Sequence, residues 1–222
     1  MHFSVTDITQ LTIFLVSLSV FLQKPVPFYL KFFPVYFFYF LILDLVIEYT
    51  SSQGIHNTGF VNASGILEFC FYFFVIKEII LNLKVKRVIL YVMVIFPLFT
   101  LINMFFIQKK VGFNPVNFTI GTLVTVVFCI YYFVELFQKT EAPSLTKLPA
   151  FWIASAILFN VVLVFPMFAL VSFMQETTVS SIAALNIIFN NMGSIFNIII
   201  ILTYILYSIG FLCRIRINKS TL

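Results

Sequence analysis

Apolar residues come in long unbroken runs along this 222-residue chain, separated by short clusters of Lys, Pro, Gly, Asn and Ser. Crossing the hydrocarbon core of a bilayer takes about 20 apolar residues in helical form. Seven runs approach or exceed that length, at roughly 8–23, 28–49, 61–83, 87–107, 113–138, 149–174 and 181–213, the first short and the last long. Backbone groups in lipid must bond within their own segment, so the runs predict helices, and the alternating polarity of a barrel is missing. The expected fold class is all-α: a polytopic membrane bundle of seven transmembrane helices, one domain over residues 1–222.

Composition agrees with that pattern. The chain is 62% hydrophobic and 9% charged, against about 25% charged in soluble domains, too little polar surface to coat a water-soluble fold. The lipid bilayer is the expected partner. The net charge of +5 does not point to nucleic acid, because the basic residues sit in clusters between apolar runs rather than on one polar face. Met1 to Gln10 holds Asp7 and no Lys or Arg, so the first run is expected to stay as a span and not to act as an export signal. Cys70, Cys129 and Cys213 lie in or at the end of apolar runs, where a thiol behaves as a small hydrophobe, and no disulfide is expected.

Counting Lys and Arg beside the spans sets an orientation. One side takes eleven, among them Lys84, Lys86, Arg87, Arg214 and Arg216, and the other only Lys109 and Lys110. Positive charge favours the cytoplasm, which puts the N-terminus outside and the C-terminus inside. The inner basic loops are also expected to attract anionic lipid or a cytoplasmic or membrane partner.

Two segments echo each other. Residues 69–75 (FCFYFFV) resemble 128–134 (FCIYYFV), and 95–99 (IFPLF) resemble 164–168 (VFPMF). A duplicated hairpin in parallel orientation and chance repetition in a Phe-rich chain both account for this. Pro97 and Pro166 each remove a helical hydrogen bond near mid-span and are expected to kink their helices, which neighbouring helices tolerate.

Charges inside spans cost about 2.5–3.5 kcal/mol each on insertion scales and usually face a bundle interior or water. Asp44 and Glu48 share a helix face at spacing i, i+4. Helical rise puts Asp44 about 8 Å and Glu68 about 10 Å from the outer ends of their spans. Ser64, Glu68 and Tyr72 form one stripe. Asn103 and Asn117 fall in the same outer half, and Asn186, Asn190 and Asn197 lie close to one face of the seventh run. These residues are candidates for an outward-facing pocket for a small polar ligand or cation, with Asp44 and Glu68 as its acidic floor. The bland alternative is glue between helices, with Glu68 protonated and bonded to an Asn or Tyr. Lys77 with Glu78, and Glu135 with Lys139, read as interfacial anchors. The sequons at Asn62 and Asn117 are short enough to arise by accident.

The segments FCIYYFVELF (128–137), PAFWI (149–153), FLCRIR (211–216) and EFCFYFFVIKEII (68–80) resemble a group of uncharacterised seven-span integral membrane proteins of Bacteroidota. The resemblance implies a helical bundle in the bacterial inner membrane, multi-pass, and brings no activity or site residues. In topology the chain is also similar to seven-span bacterial sensing modules, although here any output domain would sit on a separate protein. Retinal proteins need a lysine in the seventh span, and Ser181 to Cys213 has none. Zinc hydrolases of seven spans need several intramembrane ligands, whereas the histidines here are His2 and His56, in polar segments, so no metal or cofactor is expected. No phosphate loop, nucleophile elbow or kinase signature points to an enzyme. Three readings follow: a receptor-like or sensory module, a small-solute or ion transporter, and an accessory subunit of a membrane complex.

Overall fold

The computed structural model describes residues 5–22, 26–108, 114–138, 145–176 and 183–220, with side chains within 7–22, 26–106, 114–138, 145–169, 191 and 193–213. Among them seven α-helices and no strand occur. Helix α1 runs Val5–Leu18 and ends in a 3₁₀ stretch, Ser19–Leu22; a second 3₁₀ stretch, Phe28–Phe32, leads into α2, Phe33–Ser52. There follow α3 (Thr58–Ile79), α4 (Leu83–Ile102, continued as a π-helical segment Asn103–Gln108), α5 (Pro115–Phe137), α6 (Pro149–Glu176) and α7 (Ala183–Ser220).

Six of these helical stretches are long and apolar enough to cross a membrane; α1 with its 3₁₀ tail is shorter. Such helices are consistent with an integral membrane protein. Large apolar side chains stand on their outer faces, with Leu67, Tyr91, Val94, Phe105 and Val127 each more than half exposed. Contiguous apolar surface on this scale is poorly suited to water and well suited to acyl chains.

Helix ends explain where the boundaries differ from those read off hydropathy. The third helix begins at Thr58 rather than 61, and the fourth at Leu83 rather than 87, because a helix can start on polar or charged residues that an apolar window leaves out. Asn82 accepts from the Lys84 N–H at 2.9 Å, and Asn114 accepts from the Asn117 N–H at 3.2 Å. Lys84, Lys86 and Arg87 consequently lie in the first turns of α4, and Arg214 and Arg216 in the continuing α7, so the basic loops expected from the sequence are helical turns. The α2–α3 turn closes on Gly54, whose φ of 71° is left-handed. Ile55 N–H reaches back to Thr50 O at 2.9 Å across it, the bond of a Schellman cap.

Pro97 and Pro166 sit inside α4 and α6, and both helices continue past them. Past Pro97 the ladder does not stay regular: α4 widens to π-helical bonding from Asn103. This places the departure from α-geometry about one and a half turns after Pro97, at a site that hydropathy does not mark.

The helices sort into two groups. Helix α7 packs against α6 and α1, α1 packs against α2, and α3 touches both α2 and α6, so α1, α2, α3, α6 and α7 close a ring. Helices α4 and α5 pack on α3 outside it, α5 also bracing α6. Helices α3 and α5 interlock by reciprocal glycine contacts. A Cβ at Gly65 would come within 2.5 Å of the Phe118 ring, and one at Gly121 within 2.5 Å of the Phe69 ring. Small residues at such contacts let helices approach closely where no hydrophobic effect drives association.

Candidate functional site

Inside the five-helix ring lies a cavity of about 270 Å³. Each wall follows from one face of one helix. Helix α1 supplies Gln10; α2 supplies Tyr36, Phe40 and Asp44, at successive i+4 steps. Helix α3 supplies Glu68 and Tyr72, again i, i+4, and α6 supplies Asn160, Val164 and Phe168 in the same rhythm. The wall from α7 runs from Phe196 and Ile200 through Thr203 and Tyr204 to Tyr207.

Glu68 is the centre of the polar network. Its Oε1 accepts from the Tyr72 hydroxyl at 2.5 Å and from Asn160 Nδ2 at 3.4 Å. The same amide donates to the Tyr72 oxygen at 3.0 Å, and the Tyr36 hydroxyl donates to that oxygen at 3.3 Å. Glu68 thereby joins α3 to α6, and the Tyr72 hydroxyl beside it extends the network to α2. Across the cavity Asp44 Oδ2 accepts from Gln10 Nε2, joining α1 to α2. Two buried polar atoms of the cavity wall have no hydrogen-bond partner among the described residues: Gln10 Oε1, on a residue 4% exposed, and the Tyr207 hydroxyl, on a residue 1% exposed.

Glu68 is the eleventh residue of the 22-residue α3, midway along it, and deeper than the depth read from the apolar run. The helix starts three residues earlier than that run, which adds about 4.5 Å. Toward the end of the bundle that carries the C-terminus the cavity is floored by rings. Phe33 packs against Tyr207 at 5.4 Å and Phe211 at 5.3 Å between centroids, and Phe37 against Tyr207 at 5.6 Å. All four side chains are at most 2% exposed.

Of the residues singled out by sequence, Asp44, Glu68 and Tyr72 meet at the cavity. Glu48, one turn further along α2, is exposed and outside it. Asn103 and Asn117 belong to a separate knot. Asn103 Nδ2 donates to Asn117 Oδ1 at 3.0 Å and to Asn114 Oδ1 at 3.3 Å, while Asn62 Oδ1 accepts from the Asn114 N–H at 3.1 Å. This knot ties the starts of α3 and α5 to the end of α4, and its amides bond one another rather than line the cavity. Asn62 and Asn117 are 6% and 5% exposed, so neither sequon is open to a modifying enzyme. Asn197 is half-buried and does not line the cavity; Asn186 and Asn190 lie on α7, with side chains outside the described set.

Gln10, Tyr36, Asn160, Thr203 and Tyr207 were not singled out by sequence. Asn160 carried a usable signal, an amide isolated in an otherwise apolar span. Glu135, read as an anchor paired with Lys139, accepts from the backbone N–H groups of Leu81 at 2.7 Å and Asn82 at 2.9 Å. It clamps the α3–α4 turn to the end of α5; Lys139 lies outside the described residues. Lys77 and Glu78 do pair, at 3.1 Å.

No group of three or more His, Cys, Asp or Glu side chains suited to a metal occurs among the described residues. Comparison of the chain with known protein families, with characterised proteins and with solved structures finds no match.

Proposed function

We propose that this protein is a receptor-like membrane module of seven crossings, N-terminus outside, which holds a small polar ligand or cation in the cavity between α1, α2, α3, α6 and α7. The observation that carries the reading is the cavity itself, lined by Asp44 and Glu68 from two helices and by polar groups from three more. Buried carboxylates in a span are costly and mark functional interiors. A single space touched by five helices also lets one ligand bias the packing of all of them.

Several features support the details. The rise of α1 with its 3₁₀ tail amounts to roughly 29 Å, close to the thickness of a hydrocarbon core. Its tail packs against α7 and the 3₁₀ stretch before α2, which favours a full crossing. Lys31, Lys77, Lys84, Lys86, Arg87 and Lys147 all fall at the end of the bundle where α7 finishes, which favours a cytoplasmic C-terminus. The ring-packed floor beneath the cavity favours holding a ligand over passing it on, and so favours a sensor over a transporter. An inner-membrane location and a separate signalling partner, met through the basic turns of α4 and α7, complete the proposal.

The test is gentle purification from the native membrane, followed by identification of bound small molecules and co-purifying proteins. The wild-type chain is expected to retain a small molecule that is lost in Val164→Trp, which fills the cavity, and to drive no solute flux in proteoliposomes. Flux dependent on Glu68 would establish the transporter instead. A chain that retains nothing, and whose thermal unfolding ignores Val164→Trp, would remove the cavity as a site.

A further inference from the structure

Resting on the ligand-holding cavity just proposed, we infer that the occupant is a small organic amine, its ammonium held between Asp44 and Glu68 and its apolar body lying against aromatic walls. Charge is the first ground. Among the described residues two carboxylates line the space and no Lys, Arg or His does, so an anionic ligand would be repelled and a cation offsets the desolvation of both acids.

Hydrogen-bond sense is the second. Both protein bonds to Glu68 arrive on Oε1, and the one to Asp44 arrives on Oδ2. Gln10 Oε1 is an acceptor with no donor among the described residues, on a side chain 4% exposed in the same wall. The Tyr207 hydroxyl, likewise without a partner among the described residues, can donate or accept, whereas Gln10 Oε1 and the two carboxylates only accept. The surplus is therefore of acceptors, and an alkylammonium carries N–H donors only. Leaving such a buried acceptor unmade is unfavourable, so its presence in the wall points to a donor that arrives with the ligand.

The remaining lining supplies the third ground. Phe40, Phe168, Phe196 and Tyr204 present rings, and Val164 and Ile200 present aliphatic surface. Rings attract cations through their faces, more strongly when water is excluded, and they accept an apolar body. A volume of about 270 Å³ limits that body to a small one. A bare metal ion fits less well, since the described residues offer no cluster of three ligating side chains.

The full-length protein in nanodiscs is tested by thermal unfolding and calorimetry with 2-phenylethylamine, its neutral analogue 2-phenylethanol and its anionic analogue phenylacetate. The amine alone is expected to bind and to raise the unfolding temperature. Glu68→Gln, which keeps the side chain's shape, and Asp44→Asn should each weaken its binding at least about tenfold. Equal stabilisation by the alcohol or the acid, or unchanged amine affinity in both variants, overturns the amine assignment while leaving the cavity as a site. Silence from all three probes also overturns it, and the molecule retained in native purification then decides the broader reading separately.

Discussion

Glu68 concentrates more structural consequence than any other side chain, because one oxygen receives donors from its own helix and from α6. Glu68→Ala would leave the buried Tyr72 hydroxyl without its acceptor and remove one of the two bonds of the half-buried Asn160 amide. It is expected to destabilise the folded bundle by about 2–4 kcal/mol, against under about 1 kcal/mol for Glu68→Gln, measured by thermal or denaturant unfolding in detergent. Gly54 is a second residue with a clear reason to be what it is. Its left-handed φ of 71° penalises any Cβ, and Gly54→Ala should cost about 1 kcal/mol although nothing else stands within 4 Å of the position. At this scale the sequence was partly legible. Intramembrane acids are rare enough to announce themselves, and Asp44, Glu68 and Tyr72 share a cavity. Asparagines announce less, because an amide can satisfy another amide: Asn103 and Asn117 do so, whereas Asn160, with the same chemistry, faces Glu68. Only the neighbour across the interface separates those cases, and the neighbour is not written in one sequence.

Between elements, the α3–α5 contact is close, and it depends on two glycines meeting two buried rings. Phe69 is 4% exposed and held edge-on by Phe96 at 5.6 Å and Phe118 at 5.9 Å, so its ring has little room to yield. Gly121→Val is therefore expected to lose about 1–3 kcal/mol by overpacking, read as a lowered unfolding temperature. A Gly59→Val change, with open space around its Cβ, serves as the control. The Glu135 clamp is the matching polar contact. Glu135→Ala should free the Leu81 and Asn82 amides and speed their hydrogen exchange, an effect that an anchor paired only with lysine would not produce. Helix existence was legible from hydropathy, since runs of this length admit no other backbone solution in lipid. Helix ends were not, because first-turn and capping residues can be polar and lie outside any apolar window: α3 starts at Thr58 with no side-chain cap, and α4 at Leu83 behind the Asn82 cap. The echoed segments also part company here. Glu68 lines the cavity, while Val127, its counterpart in the echo, is 62% exposed.

Across the whole molecule, two ties hold the same trio of helices at opposite ends. The asparagine knot joins α3, α4 and α5 where α3 and α5 begin, and Glu135 joins the α3–α4 turn to α5 where α5 finishes. Among the described residues α2 reaches that trio through the Tyr36–Tyr72 hydroxyl pair, and it also meets α3 and α7 through bulky rings, such as Tyr36 on Phe71 at 4.1 Å and Phe37 on Tyr204 at 5.6 Å. Stapled at both ends, α3, α4 and α5 should behave as a stator, and the slowest amide exchange in the protein should map to them. Helix α2, with α1 packed on it, meets that stator through stacked and edge-on rings and one hydroxyl pair. A ligand of the proposed kind between Asp44 and Glu68 would fasten their seat to it, and slower amide exchange in α1 and α2 on adding it is the expected outcome.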